Sequence, residues 1–196
     1  FSLIKKISKI IQFYSKNTVW FLLYLSAKLA HFLSNQRYYI TGTKELHALD
    51  VFFIVPNIIN QKRFNDVYLT GLTDALDKIG GNYVYIPRWF GSWNPFDFFK
   101  AFRIIKKGKY PVLAEFQILE WSDYGRVLLY LATYPFHVRT FAQGLGASEE
   151  DRILDFSLWE TLDTVTIRNY LRYLYGKRIS SIRGLKVKCI SWYENQ

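Results

Sequence analysis

Short apolar runs alternate with amphipathic runs of helical length through residues 50–193, and no other feature limits the fold as strongly. "DVFFIVPN" (50–57) is β-branched and aromatic, closed by Pro56, and reads as a buried strand. In "NDVYLTGLTDALDKIGG", Asn65 or Asp66 can cap a helix, Val67, Leu69, Leu72, Leu76 and Ile79 share a face, and Gly80-Gly81 ends it. "NYVYIP" (82–87) is a second strand. "NPFDFFKAFRIIKKG" is a helix with Asn94 as N-cap, Pro95 in the first turn, Asp97 early, Lys106 and Lys107 late, and Gly108 after the end. "YPVLAEF" (110–116) predicts a third strand, and a helix bent near Pro135 and ended by Gly144 follows. "SEED" opens a short helix, and Ser157 with Glu160 in "SLWE" forms a capping-box pattern that opens a long one to about Tyr175. "LKVKCISWY" (185–193) is the last strand. This alternation predicts the α/β class: a Rossmann-like parallel sheet with flanking helices.

The first segment is of another kind. Leu3, Ile4, Ile7, Ile10, Ile11 and Tyr14 fall at helical spacing, with Lys5, Lys6, Lys9 and Lys16 largely off that face. Val19 to Ala27 is nearly all apolar, but Lys28 and His31 interrupt it before the roughly twenty residues of a span are reached. The net charge is +10, and residues 1–37 contain no acid. Residues 1–36 are therefore expected to be an amphipathic helix at an anionic membrane surface, with Lys5, Lys6, Lys9 and Trp20 as contacts. The alternative is an ordinary helix that covers a core while its lysines reach water. Residues 37–196 contain no linker and read as one domain.

In an open parallel sheet, ligands bind beyond the carboxyl ends of the strands. The residues after each expected strand are rich in amides, carboxylates, arginines and indoles: Asn57, Asn60, Gln61, Arg63 and Asp66; Arg88, Trp89, Trp93 and Asn94; Glu115, Gln117, Glu120 and Trp121; and Glu194, Asn195 and Gln196. Amides and carboxylates hydrogen-bond hydroxyls, and aromatic faces stack on pyranose rings, so the mixture suits a sugar. An acidic group there can take the proton of an attacking hydroxyl. Cys189 stands alone, which excludes an internal disulfide, and His31, His47 and His137 lack ligand spacing, so no metal is expected. "GLG" (144–146) follows a helix and lacks the third glycine of a dinucleotide fingerprint; no cofactor is expected. The basic residues sit beside the most apolar stretch and form no nucleic-acid motif, so nucleic acid is not expected as a partner.

"SLWETLDTVTIRNYLRYLYGKR", the strand "KVKCIS" and the terminal "WYENQ" together resemble bacterial glycosyltransferases that build capsule and O-antigen polysaccharides. Those enzymes have two Rossmann-like halves, an arrangement called GT-B, and the resemblance is to the N-terminal, acceptor-side half. It implies a chain that continues into a donor-binding half holding a nucleotide sugar, with little activity in this piece alone. It implies Glu194 as the base or orienting group for the acceptor hydroxyl, Asn195 and Gln196 beside it, and a glycan or lipid-linked acceptor. It also implies peripheral attachment at the cytoplasmic face of the inner membrane. The alternative function is a non-catalytic, membrane-peripheral binding or scaffold module.

Overall fold

The computed structural model describes residues 3–39, 45–66, 69–146, 148–164, 166–182 and 186–191. In chain order the elements are α1 (Leu3–Ser34), β1 (Glu45–Ile54), α2 (Val55–Gln61), α3 (Thr70–Lys78), β2 (Tyr83–Phe90), α4 (Pro95–Gly108), α5 (Glu115–Ile118), α6 (Trp121–Gln143), α7 (Glu149–Thr164), α8 (Ile167–Ser180) and β3 (Lys186–Ser191). The chain divides into two compact units, Phe1–Tyr24 with Glu120–Leu174, and Leu25–Leu119 with Tyr175–Gln196. The division falls inside α1.

The second unit holds a parallel sheet of three strands in the order β2-β1-β3. Central β1 pairs Phe53 with Trp89 of β2 and Ala48 with Cys189 of β3. The fold is mixed α/β with a small parallel sheet; the described residues do not form a complete Rossmann-like sheet. The expected third strand is the main departure. Tyr85 makes an isolated parallel bridge to Val112, with Tyr85 N–H on Pro111 O (2.7 Å) and Leu113 N–H on Tyr85 O (2.9 Å). Pro111 has no N–H to continue a ladder, and the chain turns into the single turn of α5. Strand β2 runs past Pro87 to Phe90, because Val84, Tyr85, Pro87 and Trp89 are buried there. Helix α4 matches expectation closely: Asn94 accepts from Phe96 N–H (2.9 Å), Pro95 starts the helix, and Lys109 closes it at φ 55°. The expected break at "SLWE" is absent. Ser157 lies inside α7, whose start is capped instead by Ser148, which accepts from Asp151 N–H (3.1 Å).

The first unit is helical. At its centre Asn17 on α1 is fully buried; its amide donates to Phe13 O (3.0 Å) and its oxygen accepts from Ile167 N–H (2.8 Å). One of the orphan donors that open α8 is thus satisfied from a residue far away in sequence. Asn17→Leu keeps the branched shape but removes that acceptor, and should lower the unfolding free energy by about 1–3 kcal/mol. Urea denaturation reads this directly; a loss under about 0.5 kcal/mol would show that the cap contributes little.

Helix α1 puts its lysines to a different use from the one expected. Lys6 donates to Asp155 (3.0 Å), Lys9 to Glu160 (2.9 Å) and Asp163, and Lys16 to the carbonyls of Leu162 (3.1 Å) and Asp163 (2.6 Å). Burial works against ionised Asp155, but the hydrogen bonds from Lys6 and from Trp159 outweigh it and hold the carboxyl below its ordinary pKa. The apolar face meanwhile turns outward, with Ile4, Ile11 and Leu22 exposed. Sequence periodicity separates the two faces of a helix but does not say which meets protein. Among the described residues, no helix is long and apolar enough to cross a membrane.

Candidate functional site

The carboxyl end of β1 carries the clearest concavity among the residues expected to bind ligand. The strand passes directly into α2, with Pro56 in its first turn, and Lys62 at φ 53° reverses the chain. Phe64 then returns to the core and stacks on Phe53, ring centroids 4.1 Å apart and planes 8° from parallel. This turn gathers Asn57, Gln61, Arg63 and Asn65 around Phe52 and Ile54, enclosing a shallow pocket of about 60 Å³. The end of β2 sits against α2 through Gly91, at φ 90°, where a Cβ would lie 2.8 Å from Pro56 Cδ. No side chain fits that approach.

Beside the pocket, Arg88 of β2 grips Asp50 of β1. Its Nε donates to Oδ1 (2.6 Å) and Oδ2 (2.7 Å), and its Nη2 to Oδ2. The guanidinium also lies 6.0 Å from the centroid of Phe52, whose ring is part of the pocket wall. Bidentate pairing fixes the Arg88 plane, so it braces Phe52 and is not free to swing onto a ligand.

The expected site residues separate into three groups. Asn57 and Arg63 line the pocket, together with Gln61 and Asn65. Asn60 is exposed on α2 but stands outside the lining. Others are structural. Trp89, 3% exposed, sits within about 6 Å of Phe53, Phe98, Phe102 and Phe116, so its ring is not open to a sugar. Strand alternation past Pro87 turns it inward. Trp93 is half-buried against Phe98, centroids 5.2 Å apart. Glu115 is buried at the start of α5. Gln117 clamps the backbone of Tyr38, accepting from its N–H (2.9 Å) and donating to its O (2.6 Å). Trp20 lies under the Arg168 guanidinium, 5.9 Å from the ring, and Lys6 and Lys9 hold the α7 carboxylates. Lys5 is exposed on α1. Glu194, Asn195 and Gln196 lie outside the described residues.

Chemically the pocket offers amide donors and acceptors and one guanidinium over an apolar floor, and among the described residues no carboxylate lines it. That arrangement can bind and orient hydroxyls; it holds no general base of its own. Asn65 was legible only as a helix cap, and its place beside Arg63 depends on the left-handed turn at Lys62. Among the described residues no group of three or more His, Cys, Asp or Glu is placed to hold a metal. No family model, curated protein or solved structure matches the chain.

Proposed function

We propose that this chain is the acceptor-side, Rossmann-like half of a membrane-associated glycosyltransferase. It would move a sugar from a nucleotide sugar, held by a second half, to a glycan or lipid-linked acceptor of the surface-polysaccharide kind. One observation carries the reading: the amide- and guanidinium-lined pocket opens at the carboxyl end of the central strand of a parallel sheet, where such sheets bind ligands. Strand β3 runs parallel to β1, with Ser191 opposite Asp50. The resemblance of the following "WYENQ" supplies a candidate base, Glu194, where the described pocket residues include none. At about 60 Å³ the pocket takes a hydroxyl-bearing edge of a sugar and not a whole ring.

Saturation-transfer NMR with a panel of methyl pyranosides tests the binding role. The expected result is transfer to at least one pyranoside, with affinity reduced about tenfold in Arg63→Ala and in Asn57→Ala, the loss of one or two hydrogen bonds each. Absence of transfer across the panel, or transfer indifferent to both substitutions, would remove the sugar site. The second reading, a non-catalytic binding module, is favoured by a pocket lining that holds no carboxylate among the described residues. It predicts pyranoside binding with no turnover of any nucleotide sugar by the whole protein.

A further inference from the structure

Within the second unit, the C-terminal part of α1 and the start of α4 leave an apolar groove open. Leu29 and Leu33 form one wall, Phe96 and Phe99 the other, with Ser26 and Ala30 between, enclosing about 370 Å³. Phe96 is 74% exposed and Leu33 63%, in a chain whose core accommodates bulky aromatics elsewhere. Burying such side chains is favourable wherever a partner exists, so a concentration of them around one groove marks a contact surface.

The charge around this groove identifies the partner. On α4, Phe96, Lys100, Arg103 and Lys107 follow the i, i+4, i+7, i+11 spacing of one helical stripe, all exposed. The Arg103 guanidinium lies over the Phe99 ring, 5.8 Å from its centroid, at the groove wall. None of these three cations has a carboxylate partner among the described residues. The one acid of α4, Asp97, is held by Ser92, whose hydroxyl donates to it (2.7 Å). An apolar slot whose Phe96 wall continues along α4 into a stripe of exposed cations matches an amphiphile whose tail is apolar and whose head is anionic. A second copy of the chain fits badly, because a two-fold contact would set this stripe of cations against itself.

We infer that the α1–α4 groove is a lipid-docking site that seats an acyl chain of an anionic bilayer while Lys100, Arg103 and Lys107 meet its phosphates. The membrane contact then falls on this face and not on Lys6 and Lys9, which already hold carboxylates. The site goes beyond the sugar-transfer reading and needs none of its chemistry: a chain that binds vesicles but no pyranoside keeps this site and loses that one.

Sedimentation of the full chain with phosphatidylcholine vesicles, with and without about one third phosphatidylglycerol, tests it. Binding should require the anionic lipid. Arg103→Glu removes one cation and adds one anion at the groove, and should weaken binding about 25-fold, roughly fivefold per charge. Lys78→Glu makes the same charge change on α3 and should weaken it fivefold at most. Phe96→Ser, at an exposed position, should weaken binding about tenfold with unchanged helicity by circular dichroism. The inference fails if the chain ignores anionic vesicles, if Lys78→Glu matches Arg103→Glu, or if Phe96→Ser binds like the parent. It fails equally if light scattering shows a dimer that Phe96→Ser dissociates, since the groove would then cover a second copy.

Discussion

Trp89→Ala should lower the stability of the chain by about 3–5 kcal/mol, one of the largest losses open to a single substitution here. The indole is at the centre of an aromatic cluster, edge-to-face with Phe53, Phe98 and Phe102 at 5.4, 5.3 and 5.2 Å between centroids. Removing it leaves a cavity walled by rigid rings that are themselves fully buried and have little room to collapse. Trp89→Phe should cost much less, under about 2 kcal/mol, because a ring remains and the indole Nε1 has no hydrogen-bond partner among the described residues to lose. Chemical denaturation of the two variants gives both numbers. A stacking platform for sugar would behave oppositely, with Trp89→Ala near parental stability and affected only in ligand binding. That pattern would overturn the assignment of Trp89 to the core.

Acidification should destabilise the chain through His31 by about 3 kcal/mol between pH 7 and pH 4. Burial is the main cause, lowering the His31 pKa from 6.5 to about 4; Lys28 and Arg37 lower it further, while the hydrogen bond to Gln36 works the other way. Gln36 donates its own amide to Val112 O (3.3 Å), which leaves its oxygen to accept from His31 Nε2–H (3.0 Å). The ring edge also packs at 89° on Phe102, centroids 5.0 Å apart. The folded state therefore keeps His31 neutral where the unfolded chain already binds a proton. The stability is complete above about 6.5, falls as pH drops through the window to about 4, and changes no further once the folded ring also protonates. His31→Gln has no group that titrates there. The stability difference between parent and variant should shrink by about 3 kcal/mol, in the variant's favour, from pH 7 to pH 4. Carboxylates titrate in both proteins and cancel in that difference. A difference independent of pH would mean that the ring is accessible to solvent in the folded chain.

What could be read from the sequence follows from how local each signal is. The start and end of α4 were legible because Asn94, Pro95, Lys106 and Lys107 act within one turn of the ends they define. Strands β1 and β3 were legible as apolar runs, although β1 begins five residues earlier than its apolar run, and α2 was hidden in what looked like a loop. The segment 110–116 was misread because its propensity suits a strand, while Pro111 and a single partner at Tyr85 decide otherwise. Ser157 looked like a cap, but the helix begun at Ser148 simply runs through it. At the pocket, Asn57 and Arg63 come together because α2 and the left-handed turn at Lys62 follow the strand directly. Trp89 was misplaced by ending β2 at Pro87, although proline is tolerated where only one edge of the strand is paired. The groove between α1 and α4 was invisible, because it needs two helices 60 or so residues apart to be placed side by side.

The Lys6–Asp155 bond joins residues 149 positions apart, and the Asn17–Ile167 cap joins residues 150 apart. During synthesis α1 therefore emerges long before either partner exists. At about 5–20 residues per second, it waits on the order of ten seconds with its lysines unneutralised and both faces open to solvent. The N-terminal part of α1 is thus made well before the residues that hold it, and for that interval the nascent chain presents a free, basic, apolar helical segment to whatever surface it encounters.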